Sequence, residues 1–193
     1  MASVVLICNS ALNQLGAASI TALTDNSKNA RLCNERYETV RDAVFRSHPW
    51  NCLIKRQQLA QDAATPAYGF TYQFTLPSDC LRLLNLDAYN SDHKVEGRKI
   101  LCNEESIKIA YISQVTDPNI MDVLLRETIS AGIAADLGYA ITANLQVSKL
   151  MQEKYQFKLS EARHADASEG YNVDPSNGQV DQILTEDFLN SRY

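Results

Sequence analysis

The sequence predicts an α+β protein: a mainly α-helical bundle with an inserted small antiparallel β-sheet region and an extended C-terminal arm. Apolar residues recur at helical spacing before and after the middle of the chain, and they alternate at strand spacing in the middle itself. The C-terminal residues are rich in turn formers and acid. We therefore divide the chain into a first bundle part (1–49), the β region (50–116), a second bundle part (117–167) and the arm (168–193).

The first bundle part is predicted to hold two helices. The shorter one covers about residues 3–15 and ends at Gly16, because glycine readily takes the left-handed conformation of a helix C-terminus. The longer one has an apolar and a charged face. The apolar face comprises Ala30, Cys33, Tyr37, Val40 and Val44, and the charged face comprises Lys28, Arg31, Glu35, Glu38 and Arg41. Pro49 keeps His48 out of helical dihedral angles, so this helix should end near Ser47.

The β region starts where the apolar period changes to two. The residues that alternate are Trp50, Cys52 and Ile54 in one predicted strand and Phe70, Tyr72, Phe74 and Leu76 in another. Residues 81–89 supply a further strand, and residues 94–112 supply two more with turns at Glu96-Gly97 and at 103–105. The region should form one small, mostly antiparallel sheet.

Pro49 and Trp50 are predicted to be a structural anchor. Pro49 ends the long helix, and the only tryptophan of the chain should turn inward there and join the sheet to the bundle. Placement of Trp50 in a binding site or a subunit interface is the alternative. Lys55 and Arg56 lie on the opposite edge, where we expect an acidic surface of a neighbouring subunit.

Two helices are predicted for the second bundle part. The one after Pro118 is crowded with small residues, which let a neighbouring helix approach closely. The last covers about residues 148–167, with an apolar face and a charged exposed side. The apolar face comprises Val147, Met151, Tyr155, Leu159 and Ala162, and the charged side comprises Lys149, Glu153, Lys154, Lys158 and Glu161.

The distribution of charge argues against non-specific nucleic-acid binding. Residues 1–160 hold 16 basic and 16 acidic groups, so the whole net charge of −5 lies in residues 161–193. Non-specific binding requires clustered Lys and Arg that displace phosphate counterions. Five cysteines without a C-x-x-C pair fit neither a disulfide framework nor a zinc site, and they favour a reducing compartment. We expect neither a signal peptide at the N-terminus nor a membrane span.

Residues for catalysis are not apparent. His48, His93 and His164 fall in unrelated segments, without a nucleophile elbow or a paired metal-binding motif, and the seven glycines form no phosphate-binding loop. Glu104-Glu105 is an acidic pair of the type that glycosidases use, but it falls in a predicted turn. The aromatic strand at 70–74 is read as core or interface, with a sugar platform as the alternative. We predict no catalytic, cofactor-binding or metal-binding residue, no cofactor and no enzymatic activity.

The arm combines acidic and apolar residues. Its apolar residues are Val180, Ile183, Leu184, Phe188 and Leu189. A polar segment with a few apolar anchors generally needs a partner that buries them. We therefore predict that these five residues dock the arm on another protein.

The ordered set of features resembles the tail tubular protein A family, the head-to-tail adaptors of short-tailed bacteriophages. The resemblance covers about residues 8–167, and the segments that carry it are 11–60, "YQFTLPSDCLRLL", "VEGRKIL", "IAYISQVTDP" and "KYQFKLSEARHADA". The first of these contains a Leu15-Gly16 turn, a helix with spaced Ala, Cys and Tyr, and the pair Trp50-Asn51.

The resemblance implies a structural virion protein that is made in the host cytoplasm and lies at the head–tail junction. About twelve copies would form a ring between the portal protein, which the arm would reach, and the tail nozzle protein. Tail fibres are a further candidate partner. Packaged DNA would pass through the ring without sequence-specific binding. Some members of this family have been proposed to bind or degrade polysaccharide, so a carbohydrate-active tail protein is one alternative and another ring protein of the same tail is a second.

Overall fold

The computed structural model describes residues 1–87 and 92–169, which form four α-helices and two three-stranded antiparallel sheets. The α+β class is confirmed. The described residues divide into two compact units, a β unit of residues 45–120 and a helical unit of residues 1–44 together with 121–169. The β unit thus starts at Phe45, a few residues before Trp50. Of the predicted arm, everything beyond Glu169 lies outside the described residues.

The helical unit contains α1 (Val4–Gln14), α2 (Lys28–Arg46), α3 (Val123–Thr142) and α4 (Leu145–Glu169). The last two residues of α2 belong to the β unit. The Ser3 side chain accepts a hydrogen bond from the Leu6 amide at the start of α1, and Gly16 follows its end with a φ of +66°. Side-chain oxygens at helix starts satisfy amides that have no partner within the helix. The Ser27 hydroxyl serves α2 in this way by accepting from the Ala30 amide.

The predicted apolar face of α2 is buried or half-buried throughout, but Arg41 does not lie on the charged outer face as expected. Its side chain is only 3% exposed. The Asp42 carboxylate accepts a 2.8 Å hydrogen bond from its Nε atom, and its guanidinium lies 5.6 Å from the ring centroid of Tyr37. Paired with a carboxylate and stacked near an aromatic ring, the charge is tolerated away from water.

A two-residue connection joins α3 to α4. Ala143 ends α3 in the left-handed conformation with a φ of 51°, and the Asn144 side-chain oxygen accepts from the Gln146 amide at the start of α4. This cap explains why α4 begins at Leu145, earlier than the predicted residue 148. The expected close helix approach is confirmed, because a Cβ atom added to Gly138 would lie 3.2 Å from the Ser148 Cα atom.

The β unit contains six strands in two sheets, rather than the single sheet expected. They are β1 (Ile54–Leu59), β2 (Tyr72–Thr75), β3 (Cys80–Leu86), β4 (His93–Glu96), β5 (Lys99–Cys102) and β6 (Ile107–Ser113). One sheet has the order β1-β6-β3 and the other β2-β5-β4. The stretch 94–112 therefore carries parts of three strands, where two were predicted. An isolated bridge between Gln61 and Phe74 links the chain after β1 to β2.

Both sheets contribute to one core. Its buried members are Leu59, Phe74, Leu76, Cys80, Ile100, Cys102, Ile107, Ile109 and Tyr111. They come from alternate positions of several strands, as expected for sheets with one buried face. Since Phe74 is fully buried, the core reading of this aromatic strand is confirmed at that residue.

The corner at Trp50 differs from the predicted strand. Residues Asn51–Leu53 form one turn of 3₁₀-helix, because the Leu53 amide donates a 2.9 Å hydrogen bond to the Trp50 carbonyl. Trp50, Cys52 and Ile54 therefore do not share one strand face, and β1 begins only at Ile54. Pro49 and Trp50 are both buried. The Trp50 ring meets the His48 ring edge-on at a centroid distance of 4.8 Å.

Candidate interaction surface

Three large apolar side chains of α4 are exposed, namely Leu145, Leu150 and Phe157, and the last two share one side of the helix. Leu150 is 57% exposed and Phe157 is 68% exposed. They lie seven residues apart, which is about two helical turns, so they share one side of the helix. We call this pair the α4 ridge. Single apolar residues are normal on a protein surface, and large apolar and aromatic side chains are common anchors where proteins contact one another, so this pair is a candidate contact surface.

Charged side chains flank the α4 ridge. Lys158 forms an ion pair with Glu161 at 2.9 Å. Within the part of the chain that the structure describes, neither Lys154 nor Glu153 forms an ion pair. The predicted charged side of α4 is thus present, but sequence reasoning missed the α4 ridge within it. The signal was the spacing of Leu150 and Phe157, which places both opposite the buried face.

A groove lies next to the ridge, between α2, α3 and α4. It is a cavity of about 560 Å³, and we call it the α2/α4 groove. Its lining residues are Arg36, Thr39, Val40, Ala43, Gly132, Ala135, Asp136, Gln152, Glu153, Tyr155 and Gln156. The floor is made by small and apolar side chains and the rim by polar ones. This is the composition of a site that takes an apolar side chain.

Two of the lining residues of the α2/α4 groove, Arg36 and Asp136, form an ion pair. Arg36 donates two hydrogen bonds to Asp136, at 2.5 Å and 3.1 Å, and this carboxylate raises the pKa of Arg36. With those two charges neutralised, Glu153 is the remaining charge of the lining. The groove therefore carries a net negative charge at its rim.

A second cavity of about 490 Å³ lies between α1, α3 and α4. Its walls include Leu6, Asn9, Gln14 and Lys154. Asn9 is occupied in fixing the loop after α1, since its side chain both donates to and accepts from the Ile20 backbone. The Gln14 amide donates to the Ser130 hydroxyl at 3.0 Å. These polar groups already serve the packing of the helices.

The residues considered for catalysis remain apart. His48 contacts Trp50, and His93 and His164 are exposed on β4 and α4. Glu104 and Glu105 are exposed between β5 and β6. In residues 1–87 and 92–169, no group of three His, Cys, Asp or Glu side chains is placed to hold a metal ion.

The cysteines of the described chain are free thiols. Burial raises the pKa of Cys80 and of Cys102. The pKa of Cys8 is also raised, mainly by a hydrogen bond with Cys33 and to a smaller extent by burial. The same hydrogen bond lowers the pKa of Cys33. A raised pKa keeps a thiol protonated and unreactive, so Cys8, Cys80 and Cys102 serve as small packing residues.

Lys55 and Lys99 are among the lysines of the β unit that form internal ion pairs. Lys55 binds Asp79 at 2.7 Å, so the acidic partner expected from a neighbouring subunit is supplied by its own unit. Lys99 binds Asp62, whose carboxylate also accepts from the Thr75 hydroxyl at 2.9 Å. The hydrogen bond from Lys99 lowers the pKa of Asp62.

The five residues predicted to dock the arm lie outside the described residues. They are Val180, Ile183, Leu184, Phe188 and Leu189. No protein-family model matches this sequence, and a search of the curated proteins gives no match. Among the described helices, none combines the length and the apolar character that crossing a bilayer demands.

Proposed function

We propose that this chain is the head-to-tail adaptor of a short-tailed bacteriophage, a structural virion protein that joins the portal to the tail nozzle. The observation that carries the proposal is the α4 ridge, where Phe157 and Leu150 are exposed beside a groove with a partly apolar lining. A protein that works through contacts with other subunits needs such surfaces. The resemblance in the order of sequence features supplies the identity of the assembly.

In this proposal the chain is mainly a helical bundle with an inserted β region and an extended C-terminal arm. About twelve copies form a ring, which lies at the head–tail junction of the virion. The arm binds the portal protein, the opposite side of the ring holds the nozzle protein, and tail fibres are a further candidate partner. The packaged genome passes through the ring during ejection.

The charge distribution supports a conduit for DNA. Residues 1–160 carry no net charge, and the negative surplus lies in the C-terminal part. A strongly basic lumen would bind phosphates and retard the genome, whereas a neutral or acidic one keeps the duplex free.

Portal binding is assigned to the apolar residues of the arm. Burying Ile183, Phe188 and Leu189 contributes roughly 1.5 to 3 kcal/mol for each side chain. This gain in free energy offsets the conformational entropy that a polar segment loses when it binds its partner. The acidic residues Asp181, Glu186 and Asp187 lie among them and favour a basic rim on the portal.

The test is co-sedimentation with the portal protein of the same phage, followed by electron microscopy. The full chain should bind the portal and form a ring on it, and a chain that ends at residue 175 should not. A matched control keeps the length and removes only the apolar contacts, by changing Ile183, Phe188 and Leu189 to serine. It should fail as the truncation does.

Two results would contradict the proposal at different levels. Normal docking of the truncated chain would show that the arm is not the portal-binding segment. A full chain that neither binds the portal nor occurs in a reconstruction of the virion would refute the adaptor function itself.

A further inference from the structure

We propose that two oppositely charged ends of the β unit join neighbouring copies, with the basic end of one copy bound to the acidic end of the next. The inference rests on the proposed function for its biological setting, a ring, and it adds the surfaces that hold adjacent subunits together. Its structural basis lies within residues 45–120, which form one compact unit.

Ion pairing divides the basic residues of the β unit into two groups. Its four lysines each bind a carboxylate of the same unit, in the pairs Lys55–Asp79, Lys94–Glu96, Lys99–Asp62 and Lys108–Asp87. None of its four arginines forms an ion pair with a residue in the described ranges 1–87 and 92–169. These arginines are Arg46, Arg56, Arg82 and Arg98. The unbalanced positive charge of the unit therefore lies on arginine.

Three of the arginines lie at one end of the unit, around the loop between β2 and β3. Arg46 and Arg98 each donate to a backbone carbonyl of residues 77–81. Arg82 in turn donates to the Arg46 carbonyl at 3.3 Å. Each of these bonds uses one of the five N–H donors of a guanidinium, so it positions the charge without neutralising it. We call Arg46, Arg82 and Arg98 the arginine end.

Acidic residues near the arginine end do not cancel its charge. Asp79 is bound by Lys55 at 2.7 Å and by the Tyr111 hydroxyl at 3.2 Å. Asp117, shortly after the end of β6, accepts from the backbone and side-chain amides of Asn119. Three arginines and one lysine against these two carboxylates leave a net charge of +2.

Three carboxylates lie at the other end of the strands. Glu104 and Glu105 are exposed in the turn between β5 and β6, and Asp92 directly precedes β4. The register brings them together, because His93 at the start of β4 pairs with Cys102 at the end of β5. None of the three carboxylates has an ion-pair partner in the part of the chain that the structure covers. We call these three residues the acidic end.

The strands keep the two ends apart. β6 begins beside the acidic end at Ile107 and finishes beside the arginine end at Ser113, where it pairs with Cys80. Its six residue steps, at about 3.4 Å each, span about 20 Å. This exceeds the Debye length of about 8 Å at physiological salt. The two ends therefore do not neutralise each other within one copy.

A second copy is the partner that matches both ends. Because each copy offers one positive and one negative end, a contact between two copies leaves one free end of each kind. Head-to-tail contacts of this type continue until a ring closes. Complementary charge also favours this orientation over contact between like ends.

Duplex DNA matches the arginine end less well. Proteins that bind DNA without sequence preference neutralise many phosphates with clustered Lys and Arg, whereas this end carries a small net charge and the opposite end repels phosphate. Carboxylates suit it equally in geometry, since the planar guanidinium binds two oxygens at once.

The contact is expected to be weak in isolation. Exposed ion pairs contribute little stability one by one, so copies in solution should associate only at high concentration. When a portal holds several copies side by side, their high effective concentration makes the same contact sufficient.

Photo-crosslinking of the full chain identifies what binds the arginine end. Ser78, exposed in the loop between β2 and β3, is replaced by p-benzoylphenylalanine. The variant is irradiated at high protein concentration and low salt together with isotope-labelled wild-type chain. We expect crosslinks between labelled and unlabelled copies that map to residues 92–94 or 103–106, and their loss at about 1 M salt, where the Debye length is about 3 Å. Crosslinks to residues 170–193, to any other surface, or none at all would overturn the proposal.

Charge reversal tests the head-to-tail geometry. One variant carries Arg82→Glu and Arg98→Glu, which makes both ends acidic. Another carries Glu104→Lys and Glu105→Lys, which makes both ends basic. Neither should associate alone in sedimentation velocity at low salt, or form rings on the portal, because like ends would meet. A mixture of the two should do both, since every acidic end then meets a basic one.

The matched control carries Lys149→Glu and Lys154→Glu. It changes the net charge as much as the first variant does, but at exposed positions of α4, so it should associate as the wild type does. Circular dichroism checks that each variant folds, and the crosslinks from position 78 decide the question independently of the charge variants.

Rings formed by either reversed variant alone, or a folded mixture that stays unassociated, would overturn the contact. Absence of crosslinks between copies, together with DNA binding that Arg82→Glu removes, would assign the arginines to phosphate instead. Crosslinking in solution does not involve the portal. If the expected crosslinks appear while the wild-type chain fails to bind a portal, the adaptor function is wrong and the contact between copies stands.

Discussion

The Trp50 side chain is the clearest stabilising element of the β unit. It is 1% exposed and contacts His48 edge-on, and the next turn of chain folds back on its carbonyl. Trp50→Ala should therefore lower the free energy of unfolding by roughly 3 to 5 kcal/mol. Because this residue is the only tryptophan, unfolding of both proteins should be followed by circular dichroism in urea.

The control is Trp50→Phe, which retains an aromatic ring and should lose less stability than the alanine variant. Unchanged stability of Trp50→Ala together with lost ring assembly would contradict a role in the core. That result would place the side chain at a subunit contact.

Asp62 makes the stability of the protein depend on pH in acid. Its hydrogen bond from Lys99 lowers its pKa in the folded state below the unfolded value of about 3.9. A carboxylate of this kind contributes stability that is present above the unfolded pKa and is lost as the pH falls through the folded pKa. Urea unfolding should therefore show falling stability below about pH 4.

Asp62→Asn keeps the shape of the side chain and removes the titration. It should be less stable than the wild type at pH 7, and the difference should shrink as the pH falls below about 4. An equal difference at both pH values would mean that the ion pair with Lys99 does not stabilise the fold.

The α3–α4 hairpin depends on glycines that let the helices pack closely. Gly138→Ala should gain about 1 kcal/mol of helix propensity, but its Cβ atom would lie 3.2 Å from the Ser148 backbone. Overpacking of this kind costs about 1 to 3 kcal/mol, so we expect a net loss of stability in thermal unfolding. Gly132→Ala is the comparison, because its Cβ atom would meet side chains that can shift. An equal or larger loss at Gly132 would contradict this explanation.

The helices and the sequence signals agree well, because their periodicity and caps are local. Gly16 ends α1 and small residues in α3 admit α4, as their positions in the sequence indicate. Ala143 was not recognisable as a helix end, since alanine rarely takes the left-handed conformation that it has here. That choice is imposed by the tight turn and the Asn144 cap.

Signals that depend on the partner of a residue were harder to interpret. The sequence predicts an exposed Arg41 because a charge is usually exposed, whereas Asp42 and the Tyr37 ring stabilise it in a buried position. It predicts a partner for Lys55 on another subunit, whereas the structure pairs Lys55 with Asp79 of the same unit. The α4 ridge escaped notice because Leu150 and Phe157 are separated by charged residues along the chain. Only the helix brings them to one side.

The balance of charge over the full chain predicts how the protein behaves towards DNA. Residues 1–160 have no net charge and the remaining chain is acidic. Proteins that bind duplex DNA non-specifically reach dissociation constants of about 10⁻⁴ to 10⁻⁶ M by releasing counterions from phosphates. We expect no binding in that range at physiological salt. Fluorescence anisotropy of a labelled duplex, titrated with the full chain, measures this directly.

The chain that ends at Glu169 separates two explanations of weak binding. Residues 170–193 hold four acidic residues and one basic residue, so their removal lowers the negative charge without touching the described helices and strands. If residues 1–169 themselves have no affinity for phosphate, the shortened chain should bind DNA as poorly as the full chain. Binding that appears only after truncation, and that weakens steeply with added salt, would instead mean that the acidic segment covers a DNA-binding surface.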